Sequence, residues 1–144
     1  MMVHQILKLK DDESVVTVRS DSTVKDAATL LAERRIGALI VSDDGAGLAG
    51  ILSERDIVRE LGLRGSTCLS DKVSDLMTSD LIGCARGDSA DDVLAKMTEG
   101  RFRHMPVLED GRLVGLISIG DVVKARLSEL AMERDALQDM VMGH

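Results

Sequence analysis

Apolar and polar positions follow the same order twice along this chain. Each half has a short apolar segment, a stretch with helical spacing, two further apolar segments and a second helical stretch. The predicted strands form three matched pairs: Val15–Val18 with Leu81–Cys84, Ala38–Val41 with Met105–Leu108, and Leu48–Leu52 with Leu113–Ile117. Each half is therefore predicted to be a β-α-β-β-α unit of the α+β class, because continuous apolar strands need helices to cover them.

The helix starts are predicted from capping signals. Thr23-Val-Lys-Asp26 and Ser89-Ala-Asp-Asp92 each place a hydroxyl three residues before an acid, and that hydroxyl can accept a free backbone N–H of the first helical turn. Asp-Asp-Gly and Glu-Asp-Gly segments then predict the turns between the second and third strands of each half.

The two halves also match residue by residue. A shift of 66 positions aligns Asp26 with Asp92 and Arg35 with Arg101, and a shift of 65 continues the match through Ser53/Ser118 and Asp56/Asp121. Even the lead-in segments agree, since Val3-His-Gln-Ile-Leu is similar to Val73-Ser-Asp-Leu-Met. The chain is thus predicted to hold two copies of one unit.

The predicted division has three parts: the first motif over residues 1–66, the second over 67–126, and a helical tail over 127–144. The tail carries Leu127, Leu130, Leu137 and Val141, with Arg134 at the remaining expected apolar position. Two interpretations stay open, a helix packed on its own domain and a contact between two copies of the chain.

Composition narrows the function. The 144 residues carry a formal charge of −7 and a single aromatic residue, Phe102. Nucleic acid is a poor partner for such a chain, because single-strand binding uses a basic groove with aromatic platforms. No apolar run is long enough to span a membrane. Without a signal-peptide pattern or a metal-binding or disulfide spacing of Cys68 and Cys84, the expected location is cytoplasmic.

Two motifs suggest cofactor binding or catalysis, but their surroundings in the sequence argue against both functions. Gly45-Ala-Gly-Leu-Ala-Gly50 satisfies GxGxxG, but it lies between two predicted strands, whereas dinucleotide binding needs it to open a helix. Ser118, His104 and Asp121 suggest a triad, but the first copy has Ala38 in place of His104. We therefore expect no enzyme, no catalytic residues and no metal or catalytic cofactor.

The second Ser-x-x-Asp pair of each copy, Ser53/Asp56 and Ser118/Asp121, can be explained by capping alone. However, each follows an apolar strand and opens a helix, in Gly50-Ile-Leu-Ser53 and Gly115-Leu-Ile-Ser118. A helix N-terminus of this kind can bind phosphate, and a carboxylate one turn later can accept both hydroxyls of a ribose. Capping and ligand binding are both open on these residues.

The complete pattern resembles the cystathionine-β-synthase (CBS) domain family. Two tandem β-α-β-β-α units, each ending in Gly-φ-φ-Ser-x-x-Asp-φ-Val (φ apolar), carry the resemblance, together with the Val73-Ser-Asp-Leu-Met-Thr78 lead-in and Arg103-His-Met-Pro-Val107. It covers about Val3 to Arg126, as in the small stand-alone CBS-pair proteins of bacteria. It implies two motifs related by a pseudo-twofold axis, with nucleotide sites in clefts.

The resemblance also implies roles for residues. The aspartates Asp56 and Asp121 would bind ribose hydroxyls, and Ser53 and Ser118 would bind ribose or phosphate. Arg103 and His104 would meet the phosphate, whereas the first copy has Gly37 and Ala38 there. The remaining implied contacts line the adenine: Val16, Ile82 and Thr78. For Val16 and Ile82, simple core packing is the alternative.

The function expected from this resemblance is a sensor of adenine nucleotides that responds through its conformation or assembly. AMP is the first choice of ligand, with ADP, ATP or NAD(H) as others. An interaction module with vestigial pockets is the alternative. A homodimer and an unidentified downstream protein are the expected protein partners, and the Asp121 site is expected to prefer phosphorylated ligands because only it has Arg103 and His104.

Overall fold

The computed structural model describes residues 1–10 and 15–143. The helices are α1 (Val3–Leu9), α2 (Val24–Arg34), α3 (Glu54–Arg64), α4 (Val73–Leu76), α5 (Ala90–Gly100) and α6 (Ile119–Val141), with a 3₁₀ helix over Gly65–Ser70. The strands are β1 (Thr17–Val18), β2 (Ala38–Val41), β3 (Gly50–Ser53), β4 (His104–Glu109) and β5 (Arg112–Ser118). This element order confirms the predicted α+β class, with the complete β-α-β-β-α order in the first repeat and α-β-β-α in the second.

The chain divides into two compact units that do not coincide with the sequence repeats. Unit one comprises Met1–Glu13, Gly83–Leu108 and Gly115–His144, and unit two comprises Ser14–Ile82 and Glu109–Val114. Each unit thus contains the lead-in segment of one repeat together with most of the other. The predicted division at residues 66/67 and 126/127 stays a prediction about the sequence repeat.

Unit two is built on a three-stranded sheet. β1 pairs parallel with β2, and β2 pairs antiparallel with β3, so that Leu39 lies opposite Leu52. The strand β2 is buried over its whole length, which agrees with its unbroken apolar sequence. Its core is aliphatic and consists of Val24, Ala27, Leu31, Leu39, Val41, Leu52, Ile57 and Val73.

Unit one holds α1, α5, α6 and most of the two-stranded sheet of β4 and β5. α1 crosses β5 closely, because a Cβ atom on Gly115 would lie 3.1 Å from Cδ1 and Cδ2 of Leu7. The helix α6 runs without interruption through the predicted tail to Val141, and residue 144 lies outside the described residues. Leu127, Leu130, Leu137 and Val141 are exposed on it, so these side chains are not packed on their own domain.

The predicted caps and turns are confirmed. Thr23 accepts a hydrogen bond from the backbone N–H of Asp26 at 3.1 Å, and Ser89 does the same for Asp92. The GxGxxG segment is a turn: the Asp44 carboxylate accepts the N–H groups of Ala46 and Gly47, and the chain continues into β3.

The strand predicted at Leu81–Cys84 is reduced to a single bridge between Cys84 and Val107. In the first repeat, the N–H of Ile40 donates to the carbonyl of Val16. The residue 66 positions after Ile40 is Pro106, the only proline in the chain, which has no N–H to donate. The next bond of the pattern is present, from the N–H of Leu108 to the carbonyl of Cys84 at 2.8 Å.

Candidate functional site

In unit two, the candidate site begins where β3 ends and α3 starts. Ser53 is the N-cap, and its hydroxyl accepts the N–H of Asp56 at 3.2 Å. The Asp56 carboxylate reaches back, with Oδ2 accepting the Ser53 N–H at 2.9 Å and the Ser53 hydroxyl at 3.0 Å. Its other oxygen, Oδ1, accepts from Arg59 Nη2 at 2.7 Å. Asp56 is therefore a buried carboxylate that holds a helix start and a cation together.

In unit one, the same arrangement stands where β5 meets α6. Asp121 Oδ2 accepts the Ser118 N–H at 2.9 Å, and the Ser118 hydroxyl accepts the Asp121 N–H at 3.1 Å. Here the cation is Lys10, whose Nζ lies 3.0 Å from Asp121 Oδ2 and donates to the Leu116 carbonyl at 2.9 Å. The two repeats thus share the cap geometry but recruit their cations from different elements.

The electrostatics of Asp121 follow from these contacts. Burial raises the pKa of the carboxyl, but hydrogen bonds from the Ser118 backbone and from Lys10, with the charge of Lys10, outweigh burial. The net effect holds the pKa of Asp121 below its ordinary value of 3.8. The site therefore presents an ionised carboxylate at neutral pH, which is the form that accepts hydroxyl hydrogen bonds most strongly.

The aspartates at the starts of α3 and α6 differ from those at the starts of α2 and α5. Within residues 15–143, only in α3 and α6 does the carboxylate accept a hydrogen bond back from the backbone N–H of the N-cap serine. Among the described residues, Thr23 and Ser89 cap through the hydroxyl alone, and Asp26 and Asp92 are exposed. Asp56 and Asp121 instead turn back towards the strand that precedes them. Capping is confirmed at all four motifs, and in two of them the carboxylate also lies where strand and helix meet.

The residues predicted to meet phosphate lie beside the second of these helix starts. The carbonyl of Arg103 accepts the Ile119 N–H at 2.8 Å, which brings Arg103 and the neighbouring His104 to the N-terminus of α6. In unit two, the carbonyl of Gly37 accepts the Glu54 N–H at 2.9 Å in the same way. The structure therefore groups Arg103, His104, Ser118 and Asp121 in one unit.

The three residues predicted to line adenine differ in their burial and contacts. The backbones of Thr78 and Ile51 are joined by two hydrogen bonds of 2.9 Å, in which each N–H donates to the carbonyl of the other residue. Ile51 lies in β3, two residues before Ser53. Val16 is half-buried and packs against the core of unit two, which favours the core-packing alternative for that residue. Ile82 is 52% exposed and lies outside any strand, so core packing does not describe it.

Two site residues were missed by the sequence reasoning. Arg59 could have been found, because it lies three residues after Asp56 on a predicted helix and can reach it. Lys10 gives no local signal, since it is separated from Asp121 by most of the chain. The packing of α1 against β5 and α6 brings the two together.

Comparison with known proteins finds the same fold in solved structures. The CBS domain model matches residues 8–63 and 73–128. A solved CBS-domain-containing protein, ATU1752 from Agrobacterium tumefaciens, is 42% identical, with a TM-score of 0.83 over 88% of this chain and 99% of that one. The CBS domain pair of protein MJ0100, solved in complex with 5′-methylthioadenosine and S-adenosyl-L-methionine, is 25% identical, with a TM-score of 0.76 over 87% and 98% of the two chains.

A curated relative extends the comparison to plants. The mitochondrial CBS domain-containing protein CBSX3 of Arabidopsis thaliana is 36% identical over 92% of this chain. The chain spans 66% of that relative and about a quarter of several others.

Proposed function

This chain belongs to the CBS domain family, and from that premise we propose that it is a non-catalytic regulatory module that binds an adenine nucleotide. One observation carries the proposal: each repeat places a Ser–Asp pair, with the same 2.9 Å bond from the serine N–H to the carboxylate, between a strand end and a helix start. The adenosine-containing ligands of the MJ0100 pair support this chemistry.

The proposed ligand contacts follow from the two pairs. The carboxylates of Asp56 and Asp121 would accept ribose hydroxyls, with Ser53 and Ser118 beside them. Arg103 and His104 would meet a phosphate at the Asp121 site. Thr78 and Ile82 would adjoin the adenine, whereas Val16 packs against the core of unit two. AMP is the proposed ligand, and ADP, ATP and NAD(H) offer the same ribose and adenine.

The experiment that tests this function identifies what the protein carries and then measures its affinity. Small molecules released from the purified protein would be identified by mass spectrometry, and AMP, ADP, ATP and NAD(H) would be titrated by calorimetry. We expect saturable binding of at least one of them. Failure of all four to bind would contradict the nucleotide proposal and favour the interaction module with vestigial pockets, for which the engagement of both Asp56 oxygens by Ser53 and Arg59 is the supporting observation.

We also propose a homodimer formed through helices. A groove of about 470 Å³ runs between α2 and α3 in unit two, and its lining includes Leu31, Ile57 and Val58. Val58 is 65% exposed there, and burying such apolar surface against a second copy would favour association.

The proposal also covers the location of the protein in the cell. In the part of the chain that the structure describes, no helix combines the length and apolar character that crossing a membrane requires. The cytoplasmic location expected from the sequence stays a proposal, and so does the downstream protein.

A further inference from the structure

The side chain of Lys10 lies at the Asp121 carboxylate although it comes from outside the Ser-x-x-Asp motif. Lys10 follows α1, and its ammonium group contacts both Asp121 Oδ2 and the carbonyl of Leu116. The side chains of Lys10 and Asp121 are 30% and 22% exposed, so the pair is partly shielded from water. An ion pair in such a position is stronger than one on the open surface.

In the first repeat, the cation beside the motif aspartate comes from a different part of the fold. Asp56 takes its cation from Arg59 on its own helix, and that contact uses Oδ1 while the cap uses Oδ2. At Asp121 the cap and Lys10 share Oδ2. The position equivalent to Lys10, counted from the first residue of the second lead-in segment, is the acid Asp80. The two lead-in segments therefore carry opposite charges at this sequence position, and of these two residues only Lys10 contacts a motif aspartate in the part of the chain that the structure describes.

This difference has a consequence for any ligand that takes the Asp121 carboxylate. A ribose hydroxyl that hydrogen-bonds to Asp121 Oδ2 would compete with the Lys10 ammonium for that oxygen. An uncharged nucleoside that takes this oxygen would weaken the direct contact of Lys10 with the carboxylate and supply no anion in return, which is costly for a partly shielded charge. A nucleotide brings its own anion, and a lysine side chain is long and flexible enough to follow it.

We propose that Lys10 is a specificity-determining residue of the Asp121 site, where it pairs with Asp121 before the ligand binds and with the phosphate of the ligand afterwards. This inference rests on the proposed nucleotide-binding function and adds to it the residue that selects for a phosphate. It also makes the end of α1 sensitive to occupancy, because Lys10 changes partner when a nucleotide binds.

The test compares AMP with adenosine by calorimetry in an Asp56→Ala background, in which only the Asp121 site retains its motif aspartate. We expect Lys10→Met to weaken AMP binding and to tighten adenosine binding, so that the AMP/adenosine affinity ratio falls about tenfold or more, as expected for the loss of a charged hydrogen bond. Lys10→Arg should keep most of the ratio. Lys8→Met, on the exposed side of α1, is the matched control and should leave the ratio unchanged.

The outcomes separate the two proposals. An AMP/adenosine ratio that is the same in Lys10→Met as in its parent would overturn the role of Lys10 while leaving nucleotide binding intact. Equal loss of both ligands in Lys10→Met and Lys10→Arg would also overturn it, because a purely structural role predicts that result. If no adenine nucleotide binds the full chain, the proposed function itself fails, and the inference fails with it.

Discussion

A Cβ atom on Gly50 would lie 2.7 Å from the carbonyl oxygen of Thr78 and 2.8 Å from Sδ of Met77. The close crossing of the lead-in segment over β3 therefore requires glycine at position 50, the start of the Gly-φ-φ-Ser motif in the first repeat. The corresponding approach in the second repeat is that of Leu7 to Gly115. This glycine is explained by packing rather than by contact with a ligand.

Replacing Gly50 with alanine should destabilise the protein. The nearest atom is a backbone oxygen that pairs with β3, so it cannot move without breaking the Thr78–Ile51 bridge. We expect the free energy of unfolding in urea to fall by about 1–3 kcal/mol. Gly62→Ala is the control, since a Cβ there meets nothing within 4 Å on helix α3, and it should be neutral or stabilising. Equal effects of the two substitutions would contradict the packing argument.

Removing the carboxylate of Asp56 or Asp121 should weaken AMP binding. Each Asp→Ala change would remove a charge-assisted hydrogen bond to the ribose and cost about 1.5–3 kcal/mol of binding free energy at its own site, measured by calorimetry. Asp→Asn variants keep an oxygen that can accept the serine N–H, so they separate ligand binding from capping. Asp92→Ala, at the same position of a different helix, is the control. Unchanged affinity in the Asp56→Ala/Asp121→Ala double variant would contradict ribose binding by these residues.

The ion pair of Lys10 with Asp121 should make stability depend on pH. Because the pKa of Asp121 is lowered in the folded state, the unfolded chain binds more protons in acid, and stability is lost as the pH falls through the lowered pKa. At pH 7, Lys10→Met should reduce the free energy of unfolding by about 1 kcal/mol. The difference should shrink as the pH falls below 3.8 and through the lowered pKa, because the carboxyl then becomes protonated in the folded state as well. A difference that keeps the same size across this pH range would point to lost packing of the lysine stem instead.

The proposed dimer should depend on the groove beside α3. Light scattering at micromolar concentration should give the mass of two chains of 15.5 kDa each, with or without nucleotide. Val58→Glu puts a charge in the groove lining and should shift the mass towards the monomer. Leu63→Glu, at a 74% exposed position of the same helix outside that lining, should not. A monomeric mass for the unmodified chain would refute the proposal.

How much of this structure could be predicted depended on the range of the interactions involved. The caps at Thr23 and Ser53 are local hydrogen bonds over three residues, so their residue types were sufficient to place the helix starts. The strand at Leu81–Cys84 was wrong in extent, because its pairing depends on the N–H of a residue in another strand, and that residue is Pro106. The sequence did contain this signal, but only in combination with the predicted pairing.

The candidate site shows the same limit. Ser118 and Asp121 follow from the repeat, whereas Lys10 depends on where a separate helix crosses the sheet. The ammonium group of Lys10 also contacts Leu116, which lies 106 residues away. A contact over that distance leaves no helical or strand periodicity in the sequence from which it could be predicted. The exchange of lead-in segments between the two units was likewise not predicted, because the repeat in the sequence suggests that each copy folds on itself.

That exchange bears on the order in which the protein can fold during synthesis. Val73–Thr78 meets β3 once the first 82 residues have emerged from the ribosome, so the sheet of unit two and its crossing segment can form early. The segment of residues 1–10 is made before all of these but contacts β5 and α6, and the contact of Lys10 with Leu116 spans 106 residues. Ile6 and Leu7 therefore stay unburied until those later elements are made. Nascent chains of this protein should accordingly expose an apolar helix to chaperones for longer than the compact structure of either unit suggests.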